Sequence, residues 1–195
     1  YGYAAYADSD QSIAIGYRSK SSGTFLGGNI KPSIAIGAGS DAAGNNAIAM
    51  GTSAYSHASY SVALGDTSKV LQDYGIGIGF QSNVSGIHGI AIGEVTKAAK
   101  EGTIAMGSAA RGYGNGGIAL GYQALTGANV YTGAANNTSP YNDNQSTINS
   151  YNKWGDAAIG LRALATGGNA TALGRSASAT AENAIAIGGG NGASA

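Results

Sequence analysis

The chain of 195 residues contains no cysteine, so neither a disulfide framework nor a thiolate metal site is open to it. It has 2 prolines, 1 tryptophan and 2 phenylalanines, too few for a bulky aromatic core, and its 12 tyrosines suit a surface better. Lys plus Arg number 10 and Asp plus Glu number 10, a formal net charge of zero. That balance disfavours a general nucleic-acid binder, which needs clustered cations to meet phosphates. No run of about 20 apolar residues occurs, so no helix of this chain spans a bilayer. No basic stretch followed by an apolar one opens the chain, so no signal peptide is visible. The chain starts at Tyr1 and reads as a piece of a longer protein.

Glycine is what the chain has in quantity: 34 residues, about a sixth of the whole, against the usual ~7%. Much of it closes one recurring pentapeptide. "SIAIG" stands at 12–16 and 33–37, with close copies "AIAMG" at 47–51, "SVALG" at 61–65, "GIAIG" at 89–93 and "TIAMG" at 103–107. The closing glycines are Gly16, Gly37, Gly51, Gly65, Gly79, Gly93, Gly107, Gly121, Gly160, Gly174 and Gly188. Their successive differences are 21, then 14 six times, then 39, then 14 twice. The 21 is 14 plus 7 and the 39 is 14 plus 25, so both read as insertions into an unbroken period.

Each period has two parts. The first is small-large-Ala-large-Gly, as in Ser33 to Gly37. The second has small residues three and five places after the glycine: Ser40 and Ala42, Ala54 and Ser56, Ala110 and Gly112, Ala177 and Ala179. Val70 and Val84 are larger exceptions. Between the small residues stands a mostly polar one, as at Lys20, Asp41, Lys69, Asn83, Lys97 and Arg111, with Leu125 and Leu164 departing from the rule. Alternation with period two is strand chemistry. A helix would carry recurrent interior glycines at up to ~1 kcal/mol each. A coiled coil wants apolar residues three and four apart, whereas these stand two apart.

The unit is therefore strand, turn, strand, turn, stacked on its neighbours as a nearly one-dimensional β-roll or β-solenoid. The residues expected to form the structural core of the repeat are Ile34, Ile36, Gly37, Ile48, Gly51, Ile90, Ile92, Gly93, Ile104, Gly107, Ile118 and Gly121. We expect a single roll over 1–195 of about 12 coils, each adding ~4.8 Å along the axis. Either the small residues pack inside and the Ile face is left over, or the Ile residues fill the roll and the Ala face is exposed. A narrow roll favours the first. In both cases an apolar strip runs the whole length, and it would bury best against copies of itself around a symmetry axis. The expected state is a homotrimer.

The string "NAIAIG" from Asn183 to Gly188, "NNAIAMGTSAYS" at 45–56 and "SYSVALGDTS" at 59–68 resemble the head repeat of YadA-like trimeric autotransporter adhesins. The resemblance implies a left-handed parallel β-roll, trimeric, at the tip of a fibre on a Gram-negative cell surface. It also implies adhesion to host extracellular matrix proteins, host cells or other bacteria. The neck, stalk and outer-membrane anchor that the family places after the head are expected outside this stretch.

The long insertion, about 128–152, is rich in Asn, Tyr, Ser and Thr. Solenoid insertions map to surface loops, and loops on rigid scaffolds often carry function. Tyr with Ser and Asn is also paratope-like. Tyr131, Asn136, Asn137, Tyr141, Asn142, Tyr151 and Trp154 are therefore the candidate partner-binding residues, beside the plain reading of a tolerated loop that Trp154 pins to the roll. The short insertion near 24–31 carries Phe25, Leu26 and Ile30 and suits packing at a roll edge or against another subunit.

Signals for chemistry are weak. "GYGNGG" at 112–117 fits G-x-G-x-x-G but lies inside the repeat with no helical pattern after it. His57 and His88 fall at different phases of the repeat, and a metal site needs three or four convergent ligands. No cofactor and no catalysis are expected. An acyltransferase solenoid would have period six, and an ice-binding one would show ordered Thr or Ser ladders; neither pattern is present.

Overall fold

A computed structural model describes residues 1–8, 11–22, 32–127 and 155–189. Its 22 strands form two sheets of eleven, and no helix occurs among the described residues. Strands of three residues, such as Ile34–Ile36 and Ile90–Ile92, alternate along the chain with strands of two, such as Asp41–Ala42 and Lys97–Ala98. All triplets lie in one sheet and all doublets in the other. One coil is therefore triplet, turn, doublet, turn, and the chain is a parallel β-solenoid.

Pairing joins residues of the same phase. Ile76 faces Ile90, and Ile90 faces Ile104. The register also bridges both insertions: Ile13 pairs with Ile34, Ile118 with Ala157 and Leu125 with Leu164. Both excursions leave from the second turn, between a doublet and the next triplet, and the ladder resumes in phase.

The interior is narrow and filled by small groups. The alanine at the middle of the triplet is fully buried at Ala35, Ala49, Ala63, Ala91 and Ala105. Across from it stand inward residues just before and within the doublet strand, Ser40 and Ala42 or Ala54 and Ser56, also buried. Ile34, Ile36, Ile48, Ile90, Ile92, Ile104 and Ile118 stand on the outer face and are half-buried, the arrangement a narrow roll favours. The physical reason is the closeness of the two sheets, which leaves room for a methyl or hydroxymethyl group at most inward positions and for Val or Thr at a few. Hydroxyls in this interior pair with each other: Ser56 with Ser61 at 2.6 Å and Ser68 with Ser82 at 2.7 Å. These pairs follow the rule that buried polar groups are hydrogen-bonded, while the buried Ser22 and Thr126 hydroxyls have no such partner among the described residues.

Where the filling grows on one side it shrinks on the other. Val70 and Val84 point inward, and the facing positions are Gly75, Gly77 and Gly89. A Cβ on Gly75 would lie 2.6 Å from Val70 Cγ1, and one on Gly89 would lie 2.9 Å from Val84 Cγ1. Gly112 makes the same allowance for Thr103.

Both turns are built alike. In the first, the Ser40 N–H donates to the Gly37 carbonyl at 3.3 Å, and the Ser40 hydroxyl donates to the same oxygen at 3.0 Å. In the second, the Ala47 N–H donates to the Gly44 carbonyl at 3.3 Å. The third residue of each has positive φ, 66° at Gly39 and 53° at Asn46, the sign a type II turn requires. The pentapeptide glycines open the first turn and stack on one another. A Cβ on Gly37 (φ 133°) would lie 2.4 Å from the Gly51 carbonyl oxygen. Asp156, on the triplet side where the long insertion ends, is fully buried, and its Oδ1 accepts the N–H groups of Gly168 and Ala170, both at 2.9 Å.

Candidate binding surfaces

Three surfaces run parallel to the coil axis. The first is the outer face of the triplet sheet. One column of register partners runs through Ile76, Ile90, Ile104 and Ile118, and its neighbour runs through Ile78, Ile92, Met106 and Leu120. Ile13 is 43% exposed, Met106 40% and Leu173 43%. The first column weakens only at Ala157 and Thr171. Thr171 is the one polar side chain in these two columns among the described residues, so the face suits another apolar surface.

The second is the outer face of the doublet sheet. Asp41, Tyr55, Lys69, Asn83, Lys97 and Arg111 form its central column. His57 Nε2 lies 3.0 Å from an Asp41 carboxylate oxygen, and the His57 ring stacks on Tyr55 with centroids 3.5 Å apart. The Tyr55 hydroxyl is pushed above its ordinary pKa, first by partial burial and then by the Asp41 charge. The Lys97 ammonium lies over the Tyr113 ring at 5.5 Å.

The third is the edge formed by the second turns. Its positive-φ position holds Tyr60, Tyr74 and His88 on successive coils. Their rings stack at 5.2 Å and 5.0 Å between centroids. This ladder was not anticipated from the sequence, though the recurrence of aromatic residues at 60, 74 and 88 carries its signal.

The structure keeps His57 and His88 apart, one on the doublet face and the other in the edge ladder. No group of three or more His, Asp or Glu residues that could hold a metal occurs among the described residues. "GYGNGG" runs from the strand Arg111–Gly112 through a turn to the strand Ile118–Leu120. Tyr131, Asn136, Asn137, Tyr141, Asn142, Tyr151 and Trp154 lie outside the described residues, as do Phe25, Leu26 and Ile30 of the short insertion.

The family model for the YadA head domain repeat matches residues 2–24, 31–54, 72–94, 85–110 and 165–191. The chain belongs to the YadA head family. Each matched segment carries strands of the solenoid. It is an adhesin family of surface-exposed proteins. No curated protein matches the chain.

Proposed function

We propose that this chain is the adhesive head of a protein on the surface of a Gram-negative bacterium. It works as a homotrimer of left-handed parallel β-rolls and attaches to host extracellular matrix proteins, host cells or other bacteria. Membership in the YadA head family carries the reading. The apolar outer face of the triplet sheet supports the assembly, because such a strip buries best against symmetric copies of itself. Three copies on one axis multiply weak contacts by avidity. Residues 1–195 form one head, and neck, stalk and anchor belong to the longer protein. Recognition falls to the doublet face, the second-turn edge and the 128–152 loop with Tyr131, Asn136, Asn137, Tyr141, Asn142, Tyr151 and Trp154. The role is non-catalytic binding, with no cofactor.

A panel of immobilised collagen, fibronectin, laminin and whole bacterial cells tests this. The chain binds at least one surface, and removal of 128–152 weakens that binding while the trimer persists. Failure to bind any of them rejects the adhesive role, and undiminished binding by the shortened chain moves recognition to the coil surfaces.

A further inference from the structure

The second-turn column continues past its rings. Backbone bonds tie each rung to the one before: His88 N–H donates to the Asp73 carbonyl at 3.1 Å, Gly102 to Ile87 at 2.9 Å and Gly116 to Glu101 at 2.8 Å. After Tyr60, Tyr74 and His88, the next rungs carry no side chain. Gly102 and Gly116 are both exposed. A Cβ on Gly116 would meet nothing within 4 Å, and one on Gly102 nothing closer than 3.8 Å. On the far side Gly155 is overhung by Asn169, whose Oδ1 would lie 3.0 Å from a Cβ there. One face of the His88 ring is covered by Tyr74. On the other side, among the described residues, lies an open shelf two coils wide, ~10 Å at the strand spacing. Left-handed φ favours glycine at these rungs, but it does not demand it. Asn46, Tyr60, Tyr74, His88, Asn169 and Asn183 hold the same position at φ between 52° and 60°.

We propose that this shelf is a docking slot for an arginine side chain of a partner polypeptide. A planar group laid on His88 extends the ladder at its own pitch of about 5 Å. Guanidinium is planar, stacks on rings and pairs with carboxylates in a fork. Glu101, directly before Gly102, is exposed and makes no ion pair among the described residues, while its neighbour Lys100 is half-buried. Tyr60 and Tyr74, 53% and 51% exposed, lie behind His88 in the ladder, so His88 is the ring that presents a face to the slot. The proposal deepens the adhesive reading by naming the chemistry of the contact, yet the slot stands on its own geometry.

The test is an NMR titration of the full chain with acetyl-Gly-Arg-Gly-amide, read at the His88 ring protons. The arginine peptide produces a saturable shift, and acetyl-Gly-Lys-Gly-amide a several-fold weaker one. Gly102→Tyr fills the slot with a residue the same turn already holds at 60 and 74, so it keeps the fold, confirmed by circular dichroism, and abolishes the shift. Glu101→Gln weakens it several-fold. No saturable shift, an equal shift in Gly102→Tyr, or a response to methyl glucoside without one to the arginine peptide overturns the proposal. Attachment of the unaltered chain to the protein and cell panel is measured alongside: its absence overturns the adhesive reading and leaves the slot standing.

Discussion

A methyl group on Gly79 has no room. Its Cβ would lie 2.3 Å from the Gly93 carbonyl oxygen and 2.7 Å from the carbon, and φ is 122°. The neighbouring atoms are backbone of the next rung, held by hydrogen bonds on both sides, so they cannot swing away. Gly79→Ala is expected to cost on the order of 3 kcal/mol, combining strain and overpacking. At ~2–4 °C per kcal/mol for a chain of this size, the melting temperature falls by about 6–12 °C. A thermal melt by circular dichroism checks it, and an unchanged midpoint would show that adjacent coils separate freely. This glycine was legible in the sequence because it recurs at a fixed step. The left-handed residues two places later were not. Thr67, Gln81, Val95 and Ala109 share that conformation at φ between 53° and 57°, yet they have no common chemistry, because the stacked coils and not the side chain impose it. Asp156 was equally silent: it holds a place that other coils give to Ser, Ala, Thr or Gly, and only the fold shows its two backbone partners.

Between elements, the fit of the two sheets is a matter of shared volume. The sequence shows "GIGIG" at 75–79 as a repeat with Gly in place of Ala. Which residue takes the vacated space becomes readable only when triplet and doublet strands are folded together. Val70 takes it, with its Cγ1 2.6 Å and its Cγ2 3.0 Å from the Cβ positions of Gly75 and Gly77. Gly75→Ala alone should overpack the interior and cost about 1–3 kcal/mol. Val70→Ala alone opens a void at a comparable cost of about 1–3 kcal/mol. The pair together should cost clearly less than the sum, because each change relieves the other. Urea unfolding of the single and double variants measures the coupling. Costs that add to within ~0.5 kcal/mol would show that the two positions do not compete for space. The period and the strand alternation were readable for a related reason: a solenoid contacts only its neighbours, so each is a local property repeated in register.

At the scale of the whole molecule, the sequence showed that one apolar face must be left over, and the narrow interior settles which. Small residues fill the roll, and the isoleucine columns stand outside it. Each half-buried isoleucine has on the order of 1 kcal/mol still to gain by further burial, and the columns repeat that gain at nearly every coil. Because these side chains point away from the interior, they can be changed without disturbing a single roll. Thr171 already occupies the same column as Ile185 and Ala157, so a polar group is compatible with the strand. Ile76→Lys, Ile90→Lys and Ile104→Lys placed together would line one stretch of the face with ammonium groups. Around a threefold axis these like charges would meet in a dry contact, where desolvation is costly. The triple variant is expected to run as a single copy in size-exclusion chromatography with light scattering, while the unaltered chain runs as three. Its strand signal in circular dichroism should persist at low temperature, and its melting should come earlier, since assembly adds stability by mass action. A triple variant that keeps the mass of three copies would place the interface on another face.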